Sequence, residues 1–203
     1  LRTLPGDRVA QFLARLQSEV RSLDLHLVYG DAVSLADRLR RNRLHFALTS
    51  LPEHDDQRSL PLFTTRLSVL VPSSHLFAAR FAVRASDLQD QPLIVRPYCE
   101  FFADGRSQLR ARCVSPRYVA RAQGDDHVLP MVAAGLGIAA GGDYLRHTGV
   151  VRLSIRDLKL TRSVVLAWAD AVPRDLHELV AAQARSFQWD SNARPNEIAP
   201  MLR

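Results

Sequence analysis

Short apolar runs of strand character alternate along this chain with stretches whose apolar residues recur at helical spacing, and that alternation constrains the fold most. LDLHLVYG (23–30) reads as a strand ended by Gly30. Leu35 and Leu39 then form one helical stripe, and LHFALTS (44–50) reads as a buried strand. Strand, helix and strand with short links point to a parallel sheet. Ser34 and Asp37 stand at capping-box spacing, basic residues gather where the helix dipole favours them, and Asn42 suits a left-handed cap. An earlier helix is expected, with Asp7 as its cap and Val9, Phe12, Leu13, Leu16 and Val20 on one stripe. Little more than LRTL precedes it, although such a unit normally opens on a strand, so the natural chain is expected to begin further upstream.

LPLFTTRLSVLVP (60–72) reads as one strand or two joined by a bend, and Pro72 marks a change to shorter pieces. ASDLQDQ reads as a helical turn, PLIVR as a strand, SQLRARC as a helix and RYVARA as a strand. DDHVLPMVAAG is a helix and LGIAA a strand. VVRLSI and RSVVLAWA are strands before a terminal helix, PRDLHELVAAQARSF, with Pro173 in its first turn. The residues after Trp189 carry two prolines and little pattern, and are expected to have little order.

A chain of 203 residues, 47% apolar and 24% charged, has the composition of an ordinary globular protein with one large domain or two small ones. No apolar run approaches the roughly 20 residues of a membrane helix. LRTLPGDRVA lacks the apolar core of a signal peptide, which favours the cytoplasm. The net charge is +6, carried by arginines spread singly, with tighter groups at Arg38, Arg40, Arg41 and Arg43 and at Arg106, Arg110 and Arg112. Without interleaved aromatics this reads as a solvated basic surface rather than a nucleic-acid one. Two cysteines, Cys99 and Cys113, are too few for a disulfide framework, so free thiols are the default.

Gly135, Gly137 and Ala140 match the dinucleotide fingerprint G-x-G-x-x-A letter for letter. That fingerprint needs strand, glycine turn, then helix, because the pyrophosphate rests on a helix N-terminus. Here a helix comes first and would offer its carbonyl end, so Gly135 is expected to be a left-handed cap and Gly137 a close-packing position. No G-x-S-x-G, P-loop or H-E-x-x-H occurs, and no His is placed to activate Cys99. His54-Asp55-Asp56 and Asp125-Asp126-His127 lack metal-ligand spacing. No enzyme, cofactor or metal reading is supported. What remains is a two-lobed α/β scaffold that binds small molecules at strand ends, in the loops TLPG, TSLPEHDD, RPYCEFF and QGDDH.

Several segments together carry a family resemblance. GDAVSLADRLRRNRLHFAL places Gly30, Leu35, Leu39, Leu44, Ala47 and Leu48, and LVPSSHLFA places His75. SDLQDQPLI places Asp87, Leu88, Pro92, Leu93 and Ile94, and VAAGLGIA spans Val132 to Ala139. In that order the chain resembles the effector-binding domain of LysR-type transcriptional regulators, well from Asp7 to Ala140 and less so beyond. His45, Phe77 and Gly141-Gly142 depart from the pattern, and the family's N-terminal winged helix-turn-helix has no counterpart here.

The resemblance implies a type 2 periplasmic-binding-protein fold: two Rossmann-like lobes joined by two crossover strands. Lobe I would be residues 1–71 plus 166–203 and lobe II residues 72–165, with crossovers near Ser68–Pro72 and Val164–Trp168. Carried over position by position, effector contacts would fall at Thr3, Leu4, Ser50, Leu51, Tyr98, Cys99, Glu100, Asp125 and Asp126. Ser50 and Thr3 also suit turn caps, and Asp125 a helix cap. Glu100 disfavours simple anions unless Arg96 or Arg106 offsets it. The implied function is sensing a small metabolite between the lobes, toward which the basic composition suggests an organic acid, and passing the change to DNA-binding domains absent here. A homodimer or tetramer would form through helix 9–20 and strand 25–29. Two alternatives stand beside it: a thiol redox sensor using Cys99 and Cys113, and a solute-binding protein.

Overall fold

The structure is a computed structural model that describes residues 1–20, 23–50 and 58–189. α1 (Gly6–Glu19) turns Val9, Phe12 and Leu16 inward, and α2 (Ala32–Arg40) buries Leu35 and Leu39, both along the expected stripes. Their caps differ from expectation. Pro5 takes the N-cap of α1, which moves Asp7 into the first turn, where its charge suits the dipole. Asp31 caps α2 by accepting from the Ser34 amide at 2.8 Å, and that bond lowers the Asp31 pKa. Asp37 instead pairs with Arg40 and Arg41. Asn42 takes the left-handed conformation expected, at φ 52°.

The expected strand at 25–29 does not form. β1 (Phe46–Ser50) pairs antiparallel with β8 (Thr161–Trp168), and the other edge of β8 pairs antiparallel with β2 (Ser59–Pro72). Among the described residues this sheet is therefore antiparallel, not parallel as the strand–helix–strand pattern suggested. Residues 25–29 reach none of its edges, and Leu25, Leu27 and Tyr29 stand 36%, 48% and 60% exposed. The nearest tie is the Arg2 amide donating to the Gly30 carbonyl at 3.1 Å. Alternation marks a segment that can be a strand; a neighbouring edge is needed to make it one.

β2 is continuous and serves two sheets. Residues 59–66 pair with β8, while Leu67–Pro72 lie against β6 (Ala139–Gly142) and β7 (Val150–Ile155). A register shift between Pro61 and Phe63 falls beside a proline that has no amide to donate. β3 (Ala82–Val83) adds parallel to β7, and β4 (Pro92–Val95) pairs parallel with β5 (Arg117–Arg121). A parallel bridge from Leu93 to Ile138 joins that pair to the segment leading into β6. The 85–91 turn is a short 3-10 helix, Ala85–Leu88.

Period-two alternation along the second half of β2 feeds two cores. Val69 and Val71 pack with Phe101 and Leu153, and Leu70 with Ile94, Val128 and Val132. Helices α3 (Phe102–Ala111) and α4 (Asp125–Ala133) follow the strands β4 and β5. In the first lobe, α5 (Arg174–Ser186) packs with α1: Phe12, Leu16, Val180, Ala184 and Trp189 share a cluster, and the Phe12 and Trp189 rings lie 4.8 Å apart. Pro173 is the N-cap of α5 rather than a first-turn residue. The molecule thus consists of two α/β lobes linked by β2 and by the chain entering β8.

The glycine stretch behaves as its order of elements requires. Gly135 closes α4 at φ 80°, and a Cβ on Gly137 would lie 2.6 Å from the Pro92 carbonyl oxygen. That closeness lets Ile138 donate to the same oxygen at 2.7 Å. The strand begins slightly later than read, at Ala139. Phe77, a departure from the family pattern, is buried, and its amide donates to His75 Nδ1 at 3.1 Å.

Candidate functional site: the cleft between the lobes

Loops from both lobes meet beside the linking strands. One side of the opening encloses about 890 Å³ and is lined by Thr3, Leu4, Asp125, Asp126 and Tyr144 among others. The other encloses about 1350 Å³ and includes Ser50, Tyr98, Cys99 and Glu100. The expected positions line these two cavities, which share Arg2 and Gln123, apart from Leu51, which lies outside the described residues together with His54, Asp55 and Asp56.

The lobe II wall is built on Arg96, which leaves the end of β4 and is 3% exposed. Its Nη2 meets both Asp125 oxygens at 2.5 Å, its Nε reaches Asp125 Oδ1 at 2.8 Å, and its Nη1 donates to the Ala140 carbonyl at 2.7 Å. The Tyr98 hydroxyl donates to Asp125 Oδ1 at 2.6 Å. Burial opposes the guanidinium charge, but Cys99, Asp125 and Tyr98 outweigh it and hold its pKa above the ordinary value. Burial likewise raises the Tyr98 phenol. Asp125 is expected to cap its helix or meet ligand; its oxygens are engaged by Arg96 and Tyr98, and Gly124 takes the N-cap of α4 with no side-chain bond. Asp126 is exposed and pairs with His127 at 3.2 Å. The departure at Gly141 now has a cause: any Cβ there would collide with Arg96 Nη1.

The floor is different. Tyr144 donates to Glu100 Oε1 at 3.3 Å, whereas Glu100 Oε2 is buried without a hydrogen-bond partner. Thr3, 1% exposed, also buries an unpartnered Oγ1. It lies close enough to the Tyr144 hydroxyl to influence it, yet completes no bond of normal geometry. Burial first, and Glu100 second, push the Tyr144 phenol well above its usual range. Arg96 does not offset Glu100, because it is committed to Asp125. Tyr144 was missed from sequence; the signal was Gly142, where a Cβ would lie 2.5 Å from the Tyr144 ring.

Cys99 is buried and Cys113 exposed, at opposite ends of α3. Ten helical residues span about 15 Å, well over the ~7 Å limit for Cα atoms of a disulfide, so closure requires unwinding α3. Burial raises the Cys99 thiol to about 11, which leaves it a poor nucleophile at neutral pH. Among the described residues no group of His, Cys, Asp and Glu is arranged to hold a metal.

Two α/β lobes hinged on crossover strands, with unpartnered polar atoms buried between them, define a ligand-binding domain of the type 2 periplasmic-binding-protein kind. The family model described as LysR substrate binding domain matches residues 1–185, and the chain belongs to that family. It is the effector-binding regulatory domain of a LysR-type regulator. Among solved structures it is similar to the reduced OxyR regulatory domain of Pseudomonas aeruginosa, at 22% identity and a TM-score of 0.71, covering 96% of this chain and 94% of that one. The Synechocystis CcmR regulatory domain in complex with 2-PG aligns at 14% identity and 0.69, covering 86% and 90%. The BenM effector binding domain with benzoate aligns at 16% and 0.70, covering 90% and 88%. Against HinK, a LysR family regulator of P. aeruginosa, the chain spans 64% of the longer protein. At these identities the likeness is one of fold. No curated protein matches the chain significantly. No described helix is long and apolar enough to cross a membrane.

Proposed function

We propose that this domain senses a small organic acid held between its lobes, and that the contacts are Thr3, Leu4, Ser50, Leu51, Tyr98, Cys99, Glu100 and Asp126, with Asp125 acting through Arg96. The observation that carries the sensing role is the pair of buried, unpartnered atoms on the floor, Glu100 Oε2 and Thr3 Oγ1. A buried polar atom without a partner costs about 1–3 kcal/mol, which a ligand that bonds it recovers. The acid is favoured by Arg2, Arg121 and Lys159 at the wider mouth.

The switch of β2 between sheets at Arg66–Leu67, and the entry of β8 at Thr161, support lobes divided a few residues before 71 and 166. A ligand that binds one arrangement of the lobes better than the other shifts their equilibrium. In the longer protein that shift acts on DNA through an N-terminal winged helix-turn-helix, in the cytoplasm. The homodimer or tetramer forms through the outer side of α1 and the 25–29 segment, whose Leu25, Leu27 and Tyr29 are exposed while the apolar stripe of α1 is covered within the monomer.

Family membership favours a regulator over a transport-linked solute-binding protein or an enzyme. The thiol-sensor alternative requires unwinding of α3. A thermal-shift screen of metabolites tests the main reading, since a ligand at 100 times its Kd adds about 2.7 kcal/mol. A stabilising acid whose effect is lost in Thr3→Val supports it; silence across the screen rejects it.

A further inference from the structure

Resting on the reading that the cleft takes an organic acid, we propose that the effector is a small zwitterion, with an ammonium group set against Glu100 and Thr3 and its carboxylate facing Arg2, Arg121 and Lys159.

The floor of the cleft asks for a donor. Glu100 keeps Oε1 on the Tyr144 hydroxyl at 3.3 Å and has Oε2 buried and unmatched. A carboxylate only accepts, so the group that completes it carries hydrogens, and an ammonium carries three together with the opposite charge. Thr3 Oγ1, also unmatched, offers a second acceptor lone pair on the other lobe. An ammonium between them would tie lobe I to lobe II through one group.

Arg96, the buried cation beside the floor, is otherwise engaged. Arg96 holds Asp125 through Nε and Nη2 and the Ala140 carbonyl through Nη1. A purely anionic ligand would therefore meet Glu100 without Arg96 to offset the repulsion.

The mouth has the reverse character. Arg2 reaches over the Tyr98 ring with its guanidinium carbon 5.9 Å from the centroid, and Arg121 and Lys159 line the same opening. Asp31 also lines it but caps α2, and Arg40 and Arg162 there pair with Asp37 and Asp104. Charge thus runs from acidic within to basic without, the polarity of a ligand bearing both signs.

The test uses the full chain and matched triplets with aliphatic, aromatic and acidic side chains: an α-amino acid, its deaminated acid and its decarboxylated amine. Affinity is read by thermal shift and then by calorimetry. At least one amino acid should bind at least tenfold more tightly than its deaminated partner. Glu100→Gln should remove that preference, a loss of about tenfold or more for a bond between charged groups. Glu100→Asp, which keeps the charge, should retain part of it, and the ligand-free melting curves of both variants report whether they fold. Deaminated acids that bind as well as the amino acids overturn the proposal, as does a Glu100→Gln variant with unchanged preference. A silent set of triplets overturns it too. If other metabolites bind when the triplets do not, only the ligand class fails; if nothing binds, the sensing role fails with it.

Discussion

The wall of the cleft at α4 and its floor at Glu100 both present a carboxylate, yet they are built on opposite principles. Asp125 is saturated: two nitrogens of Arg96 and the Tyr98 hydroxyl occupy its oxygens. Glu100 has one weak partner and one oxygen left over. The difference teaches that a charged residue facing a cleft is part of the scaffold when its lone pairs are satisfied internally, and open to recognition when they are not. Residue type does not separate the two cases; the surrounding donors do.

The largest expected effect lies at the wall. Arg96→Met leaves Asp125 partly buried without its cation and should cost about 3–5 kcal/mol in urea denaturation, whereas adding Asp125→Leu should recover much of the loss. A single variant as stable as the parent would show that the pair is not structural. Gly141→Ala comes next, because its methyl meets the Arg96 guanidinium. We expect a loss of about 1–3 kcal/mol, largely suppressed in an Arg96→Met background. On the floor, Thr3→Val removes an unmatched hydroxyl while keeping the shape, so stability should stay within about 1 kcal/mol or rise. A fall beyond twice that would mean the hydroxyl is bonded after all.

The smallest effect at neutral pH concerns the thiols. At pH 8, iodoacetamide should modify exposed Cys113 readily and buried Cys99 only on unfolding, as read by mass spectrometry. Because Cys99 is raised from an ordinary 9.0 to about 11, the folded state holds its proton longer than the unfolded one. Its stabilising contribution is complete below pH 9 and is lost as the pH climbs to about 11. Cys99→Ala should flatten that part of the stability profile. An unchanged slope would place the thiol in a wetter setting than this one.

Much of the fold was legible. The stripes at Phe12 and Leu16 and at Leu35 and Leu39 and the capping role of Gly135 follow from periodicity and backbone sterics, which are local. The failure at 25–29 has a physical cause: alternation is a property of one segment and strand pairing a property of two. Of the cleft, the loops that supply it could be read from strand ends, but not which side chains within them are free. Tyr144 and the Arg96–Asp125 pair join residues 29 or more positions apart, and only the double glycine at 141–142 hinted that bulky neighbours needed the room.

The sequence by itself thus determined the helices, most of the strands and the family, because spacing, turn chemistry and motif order are written along the chain. The tertiary structure alone decided which carboxylate is held and which is open. That depends on how many donors converge on each oxygen, and those donors come from elements brought together only by folding.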